Sequence, residues 1–319
     1  MANPKISIIV PVYNEEENIL ILFDEILKTM ENYEPDFELI FINDGSSDSS
    51  LEKIKELREK DKRVKYIDFR KNFGQTAALA AGFDFAEGEI MITMDGDLQN
   101  DPADIPDLIK ILEEKNLDLV NGWRYKRKDP FLSRKLPSMM ANKLISWITG
   151  VKLHDYGCTL KAYRKEIAKD LKLYGEQHRF IPALAHIEGG KVGEMKVNHR
   201  ERKFGKSKYG ISRTIRVVLD LMTVKFLSSY STKPLQIFGL LGILTGGAGI
   251  LIGLYLAYVR LIQKIGIGGR PLLFLSMLLI FMGVQFFSLG LIGEMLSRTY
   301  HESSRKKVYR VKKAEGFER

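Results

Sequence analysis

Two stretches of this chain, Pro234 to Val259 and Pro271 to Gly293, contain no Asp, Glu, Lys or Arg. An apolar helix of roughly 20 residues satisfies its own backbone and matches the hydrocarbon thickness of a bilayer, so each run is expected to span a membrane rather than lie in a soluble core. The connection between them, Arg260 to Arg270, is short enough to close a helical hairpin with both long flanks on one side. Beyond the hairpin lie Arg298, Arg305, Lys306, Lys307, Arg310, Lys312 and Lys313, against Arg260, Lys264 and Arg270 in the connection. By the positive-inside rule both termini are then cytoplasmic, as in a protein of the bacterial inner membrane. The chain opens Met-Ala-Asn-Pro-Lys and enters a β-like run, without the zones of a signal peptide, so everything before the hairpin is expected to stay in the cytoplasm.

The expected organisation is a cytoplasmic domain over 1–210, an amphipathic interfacial helix over 211–232, a hairpin over 233–297 with spans at about 235–259 and 271–293, and a basic tail over 298–319. Gly242, Gly246, Gly249 and Gly253 are spaced for close helix packing, within the hairpin or between copies. In the tail Val308, Tyr309 and Val311 interleave with basic residues, as in a strand added to a neighbouring subunit. A homo-oligomer held by hairpin and tail is the expectation these features raise.

The formal charge of +9 is concentrated. Arg124 to Lys135 holds six basic residues against Asp129, and Lys196 to Arg216 holds eight against Glu201. Such patches suit phosphates. Because a membrane hairpin follows them, an anionic lipid bilayer is the expected partner and nucleic acid is not. The single cysteine, Cys158, can make no internal disulfide and is assigned to packing.

Over the first 125 residues β-like apolar runs alternate with amphipathic stretches, which predicts an α/β sheet with helical crossovers. Strands are predicted at Ile6–Val10, Phe37–Ile42, Val64–Phe69, Glu89–Met94 and Asp118–Asn121, and helices at Glu16–Met30, Ser47–Lys60, Thr76–Ala86 and Asp104–Lys115. In such sheets chemistry gathers beyond the carboxyl ends of the strands. There stand Pro11-Val12-Tyr13-Asn14-Glu15, Asn43-Asp44-Gly45-Ser46-Ser47-Asp48 and Asp95-Gly96-Asp97-Leu98-Gln99. In an extended segment Asp95, Asp97 and Gln99 share a face, so their oxygens can meet one hard divalent cation that keeps open positions for substrate phosphates. Asp44 can accept from a ribose or a base. No Gly-x-Gly-x-x-Gly follows a strand, and Gly205-Lys206-Ser207 lacks the earlier glycine of a P-loop because Arg200 stands there, which disfavours a dehydrogenase or a P-loop ATPase. The histidines lack metal-ligand spacing.

Taken in order and spacing, the three rim motifs resemble those of family 2 glycosyltransferases of the GT-A fold, in particular the polyprenyl-phosphate hexosyltransferases, the group that includes dolichol-phosphate mannose synthase and bacterial polyisoprenyl-phosphate glucosyltransferases. The likeness runs from Ile6 to about Tyr209 and into the two-helix anchor. It implies a Rossmann-like mixed sheet carrying an inverting, metal-dependent hexosyltransferase that takes a nucleotide sugar and a polyprenyl phosphate. The resemblance assigns Pro11, Tyr13, Glu15 and Asp44 to the nucleoside, Asp95 to the ribose and metal, and Asp97 with Gln99 to Mg2+ or Mn2+ on the diphosphate. Arg124, Arg134 and Ser138 would grip the acceptor phosphate, and Arg202, assisted by Lys206, would close over the donor diphosphate. Asp155 matches an acidic position sometimes given a base role, and a positioning role is the alternative. The two-helix anchor and the Asp-Gly-Asp-Leu-Gln sequence resemble the bacterial glucosyl branch and lean the donor towards UDP-glucose, with GDP-mannose or another nucleotide sugar as the alternative. A processive polysaccharide synthase is disfavoured because Gln-x-x-Arg-Trp is absent, and a non-catalytic scaffold because Asp-Gly-Asp-Leu-Gln is intact.

Overall fold

The computed structural model of the chain describes residues 5–31, 33, 36–125, 142, 143, 145, 146, 149–173, 175, 177–201, 234–303 and 307–317. Its first strands are Ile-Ser-Ile-Ile-Val-Pro-Val (β1, Ile6–Val12) and Phe-Glu-Leu-Ile-Phe-Ile-Asn (β2, Phe37–Asn43). Near-continuous apolar runs of this kind belong to strands covered on both faces. Strands β3 (Val64–Phe69) and β4 (Ile90–Thr93) complete a parallel set with β1 central. The helices between them, α1 (Ile19–Glu31), α2 (Ser50–Lys60), α3 (Gln75–Phe85) and α4 (Ile105–Glu114), lie within a few residues of their predicted spans.

Beyond Leu119–Arg124 (β5) the chain adds β6 (Lys161–Arg164), α5 (Lys165–Asp170), α6 (Ile181–Ile187) and β7 (Val192–Val197), which the sequence pattern did not resolve. Strand β6 runs antiparallel to both β4 and β5, so the sheet is mixed, as expected. Two cores flank it. On one face Leu22, Phe23, Ile54, Leu57, Leu108 and Leu112 from α1, α2 and α4 pack on the sheet, and on the other Ala78, Ala81 and Phe83 of α3 join Ile167 of α5 and Ile181 of α6.

Residues 222–306 form a separate compact unit. Its helices α7 (Pro234–Leu261) and α8 (Pro271–Ser303) are long and apolar enough to cross a membrane over Phe238–Leu261 and Pro271–Gly293. Only 17% and 11% of their apolar windows are buried, whereas a core helix of a soluble protein is mostly buried. The glycine spacing serves the hairpin itself. A Cβ at Gly242 would come within 2.8 Å of the Gly283 carbonyl oxygen, and one at Gly249 within 2.8 Å of the Ile280 backbone nitrogen. The Ser276 hydroxyl donates to the Gly249 carbonyl at 2.7 Å across this contact. The interfacial helix expected at 211–232 lies outside the described residues.

The tail departs from the reading of a free basic segment over 298–319. Its first residues continue α8 to Ser303, and Val311–Glu315 forms β8, the eighth strand, antiparallel to β3 of its own chain rather than on a neighbour. The physical reason is one aromatic anchor. Tyr309 is buried, stacks on Phe69 with centroids 5.3 Å apart, and its hydroxyl donates to Asp84 Oδ2 at 2.6 Å. Tyr66 Oη donates to Glu315 at 2.6 Å, while Lys312 and Lys313 stay exposed as the charges that blunt a sheet edge. Tyr309→Ala removes a buried ring and its hydrogen bond and is expected to cost about 3 kcal/mol, and Tyr309→Phe about 1 kcal/mol, read as a fall in the denaturation midpoint of the sheet domain.

Candidate active site

In the sheet order β7-β5-β6-β4-β1-β2-β3-β8, the carboxyl ends of β4, β1 and β2 are neighbours, so the three polar loops share one rim. They are laced together. Past β1, Asn14 takes a left-handed φ of 56°, its N–H donates to Ser46 Oγ at 3.0 Å, and its Oδ1 accepts from the Ser47 N–H at 2.8 Å. The Glu15 N–H donates to Ser50 Oγ, and the Glu15 carboxylate accepts from Asn18 at 2.6 Å. Pro11 is half-buried, while Tyr13 stands 38% exposed at the mouth.

Asp44 is buried, and its two oxygens accept from the Phe73 and Gly74 N–H groups at 2.7 and 2.9 Å. Burial pushes its carboxyl up, and these two bonds oppose the shift. Asp44 thus braces the loop that launches α3. Gly45 beside it has φ 68°, and a Cβ there would sit 2.5 Å from the Lys71 carbonyl carbon, so only glycine fits.

The Asp-Gly-Asp-Leu-Gln segment corrects one premise of the sequence reading. Strand β4 stops at Thr93, and the backbone bends at 96–98 rather than running on extended, with buried Leu98 at φ 61°. A leucine held there signals local strain fixed by its surroundings. The Gln99 N–H donates to Asp97 Oδ1 at 3.1 Å, and Gln75 at the start of α3 donates from Nε2 to Asp95 Oδ1 at 2.6 Å. Burial, and then the neighbouring Asp97 carboxylate, push the Asp95 carboxyl up to about 7. Two carboxylates this close invite a cation.

Among the described residues no three His, Cys, Asp or Glu side chains converge into a closed metal cage. A pair of aspartates with an amide beside it fits Mg2+ or Mn2+ instead, since these ions keep positions for phosphate oxygens. Asp95, Asp97 and Gln99 would hold the ion.

Arg124, the last residue of β5, donates from Nε to Asp155 Oδ2 at 2.6 Å and from Nη2 to Asp155 Oδ1 at 2.9 Å. This fork-to-fork pair keeps the guanidinium charged and fixes its plane. Asp155 is buried, also accepts from the Gly157 N–H, and has both oxygens hydrogen-bonded within the chain. Cys158 is buried as packing, with its thiol pushed up by burial.

Arg134, Ser138, Arg202 and Lys206 lie outside the described residues. The segment leading to Arg202 is nonetheless tied to the rim. The Arg200 N–H donates to the Gln99 carbonyl at 2.9 Å, and its guanidinium pairs with Glu25 at 2.6 Å and Asp101 at 2.7 Å. Sequence reasoning missed Gln75 and Arg200, which work through partners far along the chain.

A mixed Rossmann-like sheet with an aspartate pair at the end of its fourth strand defines a GT-A nucleotide-sugar transferase. A family model, Glycosyl transferase family 2, matches residues 7–172. The chain is 45% identical over 97% of its length to the dodecaprenyl-phosphate galacturonate synthase of Rhizobium johnstonii, covering 92% of that protein. It is 40% identical over 96% of its length to the undecaprenyl-phosphate 4-deoxy-4-formamido-L-arabinose transferase of Shewanella sediminis, covering 91% of it. Among solved structures, glucosyl-3-phosphoglycerate synthase from Mycobacterium tuberculosis, in complex with Mn2+, UDP and glucosyl-3-phosphoglycerate, shares the fold with a TM-score of 0.54 at 18% identity, over 71% of this chain and 80% of that one. The chain belongs to glycosyl transferase family 2 and is a glycosyltransferase.

Asp155→Asn leaves the half-buried Arg124 without its counter-charge. With the guanidinium no longer held in place, kcat/KM for sugar transfer is expected to fall by about 100-fold. Steady-state rates from acid to alkaline pH check the role, because a positioning group lowers the whole profile whereas loss of a base removes its acid limb.

Proposed function

We propose that this chain transfers a sugar from a nucleoside diphosphate onto the phosphate of a polyprenyl phosphate, with inversion, while its helical hairpin holds it in a membrane with the catalytic domain on the cytoplasmic side. The observation that carries this reading is the Arg124–Asp155 fork standing beside the aspartate pair on one rim, an anion grip next to a cation seat. The names of relatives spanning more than nine-tenths of the chain supply the acceptor class.

In this reading Pro11, Tyr13 and Glu15 line the nucleoside pocket, and Asp44 shapes its floor by holding the Gly74 loop. Arg124, with Arg134 and Ser138, orients the acceptor phosphate, and Arg202 with Lys206 covers the donor diphosphate. A divalent cation held by Asp95, Asp97 and Gln99 would offset charge on the departing diphosphate. A phosphate monoester has a second pKa of about 6 and arrives largely ionised, so attack in line on the anomeric carbon needs little help from a base.

The sugar is the finer question. UDP-glucose was the donor expected from the sequence. The relatives' names carry galacturonate and a formamido-arabinose, which move a UDP-linked hexuronate ahead of glucose.

The test is transfer of radiolabel from UDP-galacturonate, UDP-glucose, UDP-linked formamido-arabinose and GDP-mannose, each in turn, into polyprenyl phosphate by purified full-length protein. Label in the organic phase from one donor, lost with EDTA or Asp97→Ala, is the expected result; folded protein that labels no lipid from any donor with metal present refutes the reading. The pH dependence of Mn2+ binding has a definite sign. Because burial and the neighbouring Asp97 carboxylate raise the Asp95 carboxyl, a proton competes with the ion on the acid side of neutrality, and Mn2+ affinity measured by calorimetry should rise from pH 6 to pH 8 with proton release on binding.

A further inference from the structure

Alternation along β5 sets Arg124 on one face and Trp123 and Tyr125 on the other. Trp123 and Tyr125 meet edge to face with centroids 5.1 Å apart, and His154 stacks on Trp123 at 4.0 Å and 13°. Lys196, in register with Trp123 on β7, places its ammonium 4.3 Å over the Tyr125 ring and 5.4 Å over Trp123. Glu194 holds both the backbone N–H and the ring of His154, and Asn142 donates to the His154 carbonyl. The cluster is thus fixed and partly open to solvent: Tyr125 is 53% exposed, the His154 side chain 63%, and Trp123 between them is half-buried.

Ordered aromatic surface left in water forgoes burial, so an outward cluster of this kind implies a covering phase. Trp and Tyr beside a lysine are the side chains that settle in the headgroup layer of a bilayer, with rings among the upper acyl chains and polar tips in water. The exposed Lys196 ammonium supplies positive charge complementary to anionic lipid. On the reading above, the intervening Arg124 meets the phosphate of a lipid acceptor, which lies at headgroup depth.

We propose that Trp123, Tyr125, His154 and Lys196 form a membrane-docking surface that beds the acceptor side of the rim into the headgroup layer of an anionic bilayer. The proposal rests on the polyprenyl-phosphate reading. It adds that the catalytic domain touches lipid through its own sheet, in addition to any anchorage by the hairpin.

The chain has two tryptophans, Trp123 and Trp147, so Trp147→Phe leaves Trp123 as the sole reporter. Full-length protein is placed in phosphatidylethanolamine–phosphatidylglycerol vesicles whose acyl chains are brominated either near the glycerol end or near the terminus. The expected result is about twofold quenching of Trp123 by the shallow bromines, less by the deep ones, and protection from aqueous iodide, as an interfacial tryptophan behaves. Lys196→Glu should weaken the shallow quenching. Emission insensitive to bromine but open to iodide overturns the proposal, as does protection from both, which would mean a protein-covered face, or deeper quenching than shallow. Should Trp147→Phe fail to fold, the difference between wild type and Trp123→Phe isolates the same signal. Sugar transfer measured on the same vesicles separates the two readings: an active protein with unquenched Trp123 removes the docking surface alone, whereas shallow quenching without lipid label from any donor supports docking and removes the acceptor assignment.

Discussion

The Asp44 carboxylate, taken out of water at the end of β2, is held by two backbone N–H groups of the loop before α3. Desolvation of a carboxylate is costly, and two well-aimed amides are what make that burial tolerable. The consequence travels. The same loop delivers Gln75, whose amide sets the Asp95 carboxylate, and the segment that carries Asp95 is in turn held where the Asn100 side chain accepts from the Asp95 N–H and from the Thr159 hydroxyl. Arg200 then ties Gln99 and Asp101 to α1. The rim is a chain of hydrogen bonds between loops, and each acid's place depends on its neighbour's.

This explains which parts of the site were legible in sequence. Local pattern identified β1 to β5 and the three motifs, because apolar runs and Asp–Gly turns are local signals. It misjudged how the motifs converge. An extended Asp95-x-Asp97 was expected, whereas the bend needs Leu98 in a left-handed conformation that nothing in a leucine announces. Nor does local pattern show that both Asp44 oxygens accept from the loop before α3. Contacts such as Arg200 to Glu25, 175 positions apart, leave no periodicity to read. Strands β6 and β7 escaped because they are short and bracketed by segments without clear alternation.

The last strand shows the same limit from the other side. Basic residues in the tail were read as a cytoplasmic flank, and their spacing with Val308, Tyr309 and Val311 suggested a strand on another subunit. What decides the matter is a buried pairing of Tyr309 with Phe69 and Asp84, which sequence distance conceals. The chain therefore leaves the sheet domain, builds the hairpin, and returns to pair with β3. With β8 in place the β3 edge is no longer open to another chain.

The acid nearest the expected acceptor poses the remaining chemical question. A base must hold a lone pair free toward the incoming proton donor, but Asp155 gives both oxygens to Arg124 and one of them also to the Gly157 N–H. A phosphate acceptor does not call on Asp155 for a lone pair, because it brings an oxygen already ionised near neutral pH. What such an acceptor needs is a fixed cation in a fixed plane, and a guanidinium clamped by a buried carboxylate supplies that at small reorganisation cost. The geometry of the pair and the chemistry of the proposed acceptor therefore favour each other.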